Sequence, residues 1–222
     1  MLASPTDTQP ANIQKIVILG ATGPTGRHIV RQAAARGYDV TAFVRTPEKA
    51  TDLAGAEIVV GDARDENALR QAVKGRDAVI SALGTPASPF REVTLLSTAT
   101  QALVNAMKAE RVARLVAITG IGAGDSKGHG GFLFDNMIFP LLLRKVYADK
   151  NRQESVIKES ALDWTIVRPS ILNNKPGGKT VRALTSLESF RGGSITREDV
   201  ATFVLDQVAS DRWVRQTPLI TW

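Results

Sequence analysis

Three glycines at fixed spacing, in Gly20-Ala21-Thr22-Gly23-Pro24-Thr25-Gly26, follow directly on the apolar run Ile16-Val17-Ile18-Leu19. A glycine turn between a strand and a helix lets the backbone bend sharply. It also brings the helix's unpaired N–H groups and positive dipole end against an anion, which is what a diphosphate requires. Pro24 fits the first helical turn because the amide it gives up has no helical partner. The spacing differs from GxGxxG, and the turn lacks the Gly-Lys-Ser/Thr of a P-loop, so it reads as dinucleotide binding and not ATP hydrolysis. A second group stands at the end of the next apolar run, Ala42-Phe43-Val44-Arg45. An acid there would hold a ribose 2′-hydroxyl, whereas the planar fork of Arg45, with Lys49 beyond it, suits a 2′-phosphate. The expected cofactor is NADP(H), with NAD(H) as the alternative.

These residues need a scaffold that ends strands and begins helices at one edge. From Lys15 onward, short β-rich runs alternate with amphipathic stretches, the pattern of βαβ units and a parallel sheet covered on both faces. Strands are predicted at Lys15–Leu19, Asp39–Val44, Glu57–Val60, Ala78–Ser81, Leu115–Thr119 and Thr165–Arg168. Helices are predicted at Thr25–Arg36, Pro47–Leu53, Glu66–Val73, Val93–Glu110, Arg144–Ser160 and Thr196–Ala209. In the fourth of these, Leu96, Ala99, Leu103, Ala106 and Met107 recur at spacings of three and four, as a core-facing helix does. The expected fold is α/β, a Rossmann-type doubly wound parallel sheet with six strands and five crossovers. A small C-terminal substrate-side elaboration, with short strand-like pieces such as Thr180–Leu184, completes it. Residues 1–14 read as a flexible arm and 15–222 as one NAD(P)-binding domain. The segments at about 121–145 and 172–195 carry the substrate side.

The 222-residue chain has a formal charge of +6, two histidines and no cysteine. The cysteine count excludes a disulfide framework, a thiolate nucleophile and a Cys-ligated metal, and two histidines make a His-rich metal site unexpected. The basic balance suits an anionic ligand, but the Lys and Arg are scattered and not gathered in a run, so no nucleic acid partner is expected. The first dozen residues lack a basic start and an apolar core, and no apolar stretch is long enough to span a bilayer. A cytoplasmic protein without a membrane partner follows as the default, with the oligomeric state open.

Further segments carry a resemblance. Gly37-Tyr38-Asp39-Val40-Thr41-Ala42-Phe43-Val44-Arg45, Val60-Gly61-Asp62 and the run Asp77 to Gly84 (DAVISALG) join the glycine turn. So do Ser160 to Pro169 (SALDWTIVRP) and Thr196-Arg197-Glu198-Asp199-Val200. As a set they resemble the atypical short-chain dehydrogenase/reductases, in particular the NmrA-like group that includes flavin and biliverdin reductases. The resemblance runs from about Lys15 to Ala209. It implies that Asp62 and Ala63 sit beside the adenine and that Ala82, Leu83 and Gly84 line the path to the nicotinamide ribose. It also implies that Thr119, Gly120, Pro169, Ser170 and Ile171 flank the nicotinamide at carboxyl ends of strands.

Typical short-chain dehydrogenases protonate an alkoxide with a Tyr four residues before a Lys, assisted by a Ser. Lys150 is the best match to that Lys, but Val146 stands four residues before it and Gly120 stands at the serine position. Tyr147 is one residue off, a rotation of about 100° on a helix. Lys150 is expected either to hold the nicotinamide ribose or to pair with Glu154 at i+4. Ser170 is expected either to donate to a substrate or to satisfy a turn. Hydride transfer to a flavin, bilin or quinone spreads charge over a conjugated system, so such an acceptor suits a site without a placed acid. Phe132, Phe134 and Met137, in Gly128 to Phe139 (GHGGFLFDNMIF), are the candidate substrate-pocket residues; the same stripe also suits plain core or a dimer contact. Two other classes stay open. One is a non-catalytic NAD(P)(H)-binding redox sensor, and the other a dehydrogenase or isomerase of a small carbonyl compound using Tyr147 or His129.

Overall fold

The computed structural model describes residues 13–188 and 190–222. The first strand, β1 (Lys15–Leu19), buries Ile16 to Leu19 completely and alternates them between two apolar layers. Ile16 and Ile18 join the cluster containing Ile29, Ala33, Val200 and Val204, while Val17 and Leu19 join the one containing Leu69, Val73, Leu103 and Met107. Period-two side chains with both faces apolar make this a central strand of a sheet covered on both sides.

The chain continues through α1 (Pro24–Ala35), β2 (Asp39–Val44), β3 (Ala56–Val60), α2 (Glu66–Val73) and β4 (Ala78–Ser81). It then passes through α3 (Leu95–Ala109), β5 (Arg114–Ile118), α4 (Arg144–Lys158) and β6 (Asp163–Pro169). After these come β7 (Ile171–Asn173), β8 (Arg182–Leu184), β9 (Ser194–Thr196), α5 (Arg197–Val208) and β10 (Leu219–Thr221). The main sheet has the order β3-β2-β1-β4-β5-β6-β10-β8, parallel except for β8, and β7 and β9 form a separate parallel pair. The order reverses between β1 and β4, so a crevice opens outside their carboxyl ends.

The Rossmann-type doubly wound sheet is as expected, and the six expected strands are present with ends shifted by a residue or two. Two expectations are corrected. The helix expected over Pro47–Leu53 is a single 3-10 turn, Pro47–Lys49. Its growth stops because the Lys49 carbonyl accepts from Arg27 Nη2 at 2.7 Å while the Leu53 amide turns back to Ala50. The sheet also has two strands beyond the six: β8 falls inside the strand-like piece Thr180–Leu184, whereas β10, three residues long, is too short to show a periodicity. The arm expected over residues 1–14 lies outside the described residues up to residue 12. Ile13 packs on the core and the Gln14 amide donates to the Asp77 carboxylate. Among the described residues no helix is long and apolar enough to cross a membrane.

Candidate functional site

The glycine turn is held by close approach of backbone to backbone. Gly20 has φ +75°, and a Cβ on it would lie 2.5 Å from the Ala82 carbonyl oxygen at the end of β4. A Cβ on Gly26 would lie 2.1 Å from the Gly20 oxygen. Neither neighbour is a flexible side chain, so only glycine lets α1 start so close to two strand ends. The Gly23 amide closes the turn onto the Gly20 carbonyl at 3.0 Å.

What the turn presents is set by how the helices are capped. Asp65 accepts two amides at the start of α2, and Thr196 caps α5. The first turn of α3 is capped by a residue from another helix: Asp149, fully buried on α4, accepts the Leu96 amide at 2.7 Å and the Ser97 amide at 3.3 Å. By contrast, α1 begins at Gly23 with no side-chain cap and no acid in its first turn. Its amides and dipole are left for an outside anion. Arg27 ties this turn to the next strand end, donating to Thr22 O at 3.1 Å and Lys49 O at 2.7 Å and pairing with Asp52.

A cleft of about 580 Å³ opens over these strand ends. At one end it is lined by Arg45, Lys49, Asp62 and Ala63, along its floor by Gly20, Thr22, Gly23 and Thr25, and toward the other end by Ala82, Leu83, Gly84, Thr119 and Lys150. Thirteen of the residues expected at the cofactor therefore share one cleft. Arg45 is exposed and makes no hydrogen bond or ion pair among the described residues. Asp62 is held by Arg64, through side-chain contacts at 2.6 and 3.0 Å and a backbone amide at 2.9 Å. These donors, with the field of Arg45, pull its carboxyl down to about 2. The cleft also takes in Phe43, Thr46, Leu95, Leu172 and Arg197, which sequence reasoning missed. Arg197 stood inside the Thr196 to Val200 motif and, as a cation opening a helix beside a strand end, was open to being found. Leu95 and Leu172 gave no sign.

Other expected residues lie behind the cleft or outside it. Ala21 is fully buried and Gly26 packs on the turn, so they shape the site without lining it. Gly120 is also absent from the lining, as are Pro169, whose carbonyl receives the Ile121 amide at 2.8 Å, and Ile171, which sits on β7. Ser170 is corrected as a catalytic candidate. It is buried, and its hydroxyl donates to Thr221 Oγ1 at 3.0 Å, so β10 takes the group that a substrate would need.

The three aromatic-stripe candidates are corrected as well. Phe132 is 82% exposed and Met137 52% exposed, and neither borders the cleft. Phe134 is buried in a cluster with Ile121, Ala123, Tyr147 and Leu219. The segment forms a π-helix, Phe134–Leu143, around Pro140. The proline has no amide to give to a helical ladder, and the altered register turns Phe134 inward and Met137 outward.

Tyr147 is a finding that helical rotation alone did not indicate. Its hydroxyl lies 3.3 Å, and Lys150 Nζ 3.2 Å, from the point where a Cβ on Gly120 would stand. Residues three apart share a helix face, and the ammonium sits 4.8 Å from the Tyr147 ring centroid. Yet Tyr147 is buried against Phe134 and Phe139 and does not line the cleft. Burial pushes its phenol up to about 12.

Lys150 is half-buried and donates to the Thr119 carbonyl. Burial pushes its ammonium down to about 8, against the Glu154 charge, which favours the protonated form. The alternative pairing with Glu154 does not form. Glu154 is taken by Arg168, through Nε at 3.0 Å and Nη2 at 2.6 Å, by the Thr119 hydroxyl at 2.8 Å and by Lys158 at 3.4 Å. Arg168 is 1% exposed, and Asp125 meets it from the other side. Removing one partner of such a buried pair typically costs about 3–5 kcal/mol.

The residues present fit a dinucleotide: a cradle that a Cβ would fill, a helix start without a cap, an unpaired guanidinium at one end and an ammonium at the other. Residues 20–211 match the family described as NAD(P)H-binding. The chain is 32% identical over 196 residues to the Bacillus subtilis protein named as an uncharacterised sugar epimerase, YhfK, covering 86% of each. Among solved structures it resembles ChuY of Escherichia coli O157:H7, described as an anaerobilin reductase, with a TM-score of 0.80 at 21% identity over 94% of this chain and 97% of that one. A short-chain dehydrogenase/reductase of Veillonella parvula in complex with NADP has a TM-score of 0.74 at 18% identity, covering 95% of each chain.

Proposed function

We propose that this chain, which belongs to the NAD(P)H-binding family of Rossmann-type proteins, is an NADPH-dependent reductase. Its acceptor is a flat conjugated molecule of the flavin, bilin or quinone type. The observation that carries the reading is the make-up of the cleft, whose lining contains Lys150 but no Tyr, His or Ser. A ketone or sugar carbon needs a proton placed on the oxygen as hydride arrives, whereas a conjugated acceptor spreads the charge and takes its proton from solvent.

When bound, the cofactor supplies the hydride from its nicotinamide. The chain's own residues bind and orient it. The Gly20 to Gly26 backbone and the open start of α1 receive the diphosphate, and Arg45 with Lys49 takes a 2′-phosphate in preference to a 2′-hydroxyl. Lys150 donates to the nicotinamide ribose. Tyr147 stays in its apolar cluster and takes no part. The fold shared with ChuY supports a reductase in kind and leaves the acceptor to experiment.

Steady-state oxidation of NADPH with riboflavin, FMN, biliverdin and a set of quinones tests this. Turnover with at least one class, unchanged in Tyr147→Phe, is the expected result. Tight NADPH binding with no turnover on any of them overturns the enzyme reading and leaves a cofactor-binding sensor. Turnover confined to small carbonyl compounds and lost in Tyr147→Phe overturns it in favour of acid-assisted chemistry.

A further inference from the structure

Lys150 carries the nicotinamide end of the cleft, yet its ammonium rests on a single backbone carbonyl, that of Thr119. Thr119 is the first residue past β5. Its amide pairs with Val167 O at 2.9 Å and the Ile121 amide with Pro169 O at 2.8 Å, but Pro169 has no N–H to offer the Thr119 carbonyl between them. The side chain adds a further hold on this residue. It points away from the cleft, donating from Oγ1 to Glu154 Oε1 at 2.8 Å.

We propose that Glu154 is a positioning residue for the cofactor site, holding through the Thr119 hydroxyl the carbonyl that orients the Lys150 ammonium. The inference rests on the role given to Lys150 above. Glu154 is 2% exposed, and each of its oxygens receives two donors. It is thus neither hydrated nor free to act as a base, and its contribution is geometry and charge. Arg168 locks the carboxylate from β6 and is itself held by Asp125. The chain Lys150, Thr119, Glu154, Arg168 therefore runs from the cleft into a buried ion pair that cannot swing.

The charged and titratable groups around Lys150 assign the sign of a pH effect. Glu154 and Tyr147 lie on its own helix, and Lys158 lies one turn beyond Glu154. Arg168 comes from β6 and Asp125 from the turn Gly124–Ser126, while Asp149 is committed to the α3 amides. Glu154 is the group that favours the Lys150 ammonium, so NADPH binding should weaken as pH rises through about 8, and loss of the Glu154 charge should move that midpoint down.

The test is a double-mutant cycle on NADPH affinity, read by fluorescence titration on the full chain, with a pH series alongside. Thr119→Val removes the hydroxyl and leaves the Arg168–Glu154 pair intact; it should raise the NADPH Kd about fivefold, the effect of one buried hydrogen bond. Thr119→Ser should restore parent affinity. Lys150→Ala should raise Kd about tenfold, as loss of a charged hydrogen bond does. The pair Thr119→Val with Lys150→Ala should be no worse than Lys150→Ala alone. Glu154→Gln should move the binding midpoint to lower pH. Multiplying effects in the double variant, or an unmoved midpoint in Glu154→Gln, overturn the positioning role while leaving the reductase reading standing. No effect of Lys150→Ala on NADPH binding overturns this inference together with the role given to Lys150. Should Glu154→Gln fail to fold, the Thr119 cycle alone decides between these outcomes.

Discussion

The glycine turn and the segment that follows β5 are built by opposite means. At the glycine turn the chain is short-sided and fixed from several directions, with Gly20 against Ala82, Gly26 against Gly20 and Arg27 clamping both Thr22 and Lys49. Beyond Lys150, the segment after β5 strings together Gly120, Gly122, Gly124, Gly128 and Gly131, all at positive φ, and then a π-helix around Pro140. There the large side chains, Phe132, Leu133, Met137 and Leu141, face outward. A diphosphate is the same in every dinucleotide, so one rigid backbone cradle serves it. The segment after β5 is shaped by side-chain packing, which tolerates many sequences. The difference teaches that the glycine turn is encoded in main-chain geometry and the segment after β5 in packing.

The comparison can be broken most directly at the cradle. Gly26→Ala places a Cβ against a backbone oxygen that cannot yield, and strain of about 3 kcal/mol corresponds to ~100-fold in NADPH affinity. Fluorescence titration alongside circular dichroism checks it; parent affinity in a folded variant would mean that the turn is a structural bend alone. A smaller and more selective loss is expected at Arg45. Arg45→Ala should raise the NADPH Kd about 10- to 100-fold, the loss of charged hydrogen bonds, and move NADH by about twofold or less. Equal losses for both cofactors would remove the 2′-phosphate assignment.

The smallest effects belong to the outward-facing stripe. Phe132→Ser and Met137→Ser should leave the thermal midpoint nearly unchanged and NADPH affinity within about twofold, as exposed substitutions usually do. Because neither residue borders the cleft, kcat/KM for a conjugated acceptor should also stay within about twofold. A change in NADPH affinity as large as that of Arg45→Ala would erase the contrast between the glycine turn and this segment.

How much of this was legible follows the same division. The strand ends, the glycine turn, Arg45, Lys49, Asp62 and Lys150 were readable because each is fixed by local chemistry: periodicity, a needed positive φ, or a charge at a strand end. Ser170, Phe132, Phe134 and Met137 were misjudged because their direction depends on partners distant in sequence. Thr221 takes the Ser170 hydroxyl from 51 residues away, and Tyr147, Ile121 and Leu219 collect Phe134. The 3-10 turn at Pro47–Lys49 fell short of a helix through a contact with Arg27, 22 residues earlier.

The sequence by itself determined an NAD(P)H-binding α/β sheet and the residues that gather at its glycine turn, since these rest on backbone conformation and on charges that neighbouring residues impose. Only the tertiary structure decided that Tyr147 is buried beside Lys150, that Asp149 caps a different helix, and that Glu154 faces Arg168 and not Lys150, four residues before it. Burial and the choice among competing hydrogen-bond partners arise when elements pack, and no local pattern fixes which of two nearby charges a carboxylate will face.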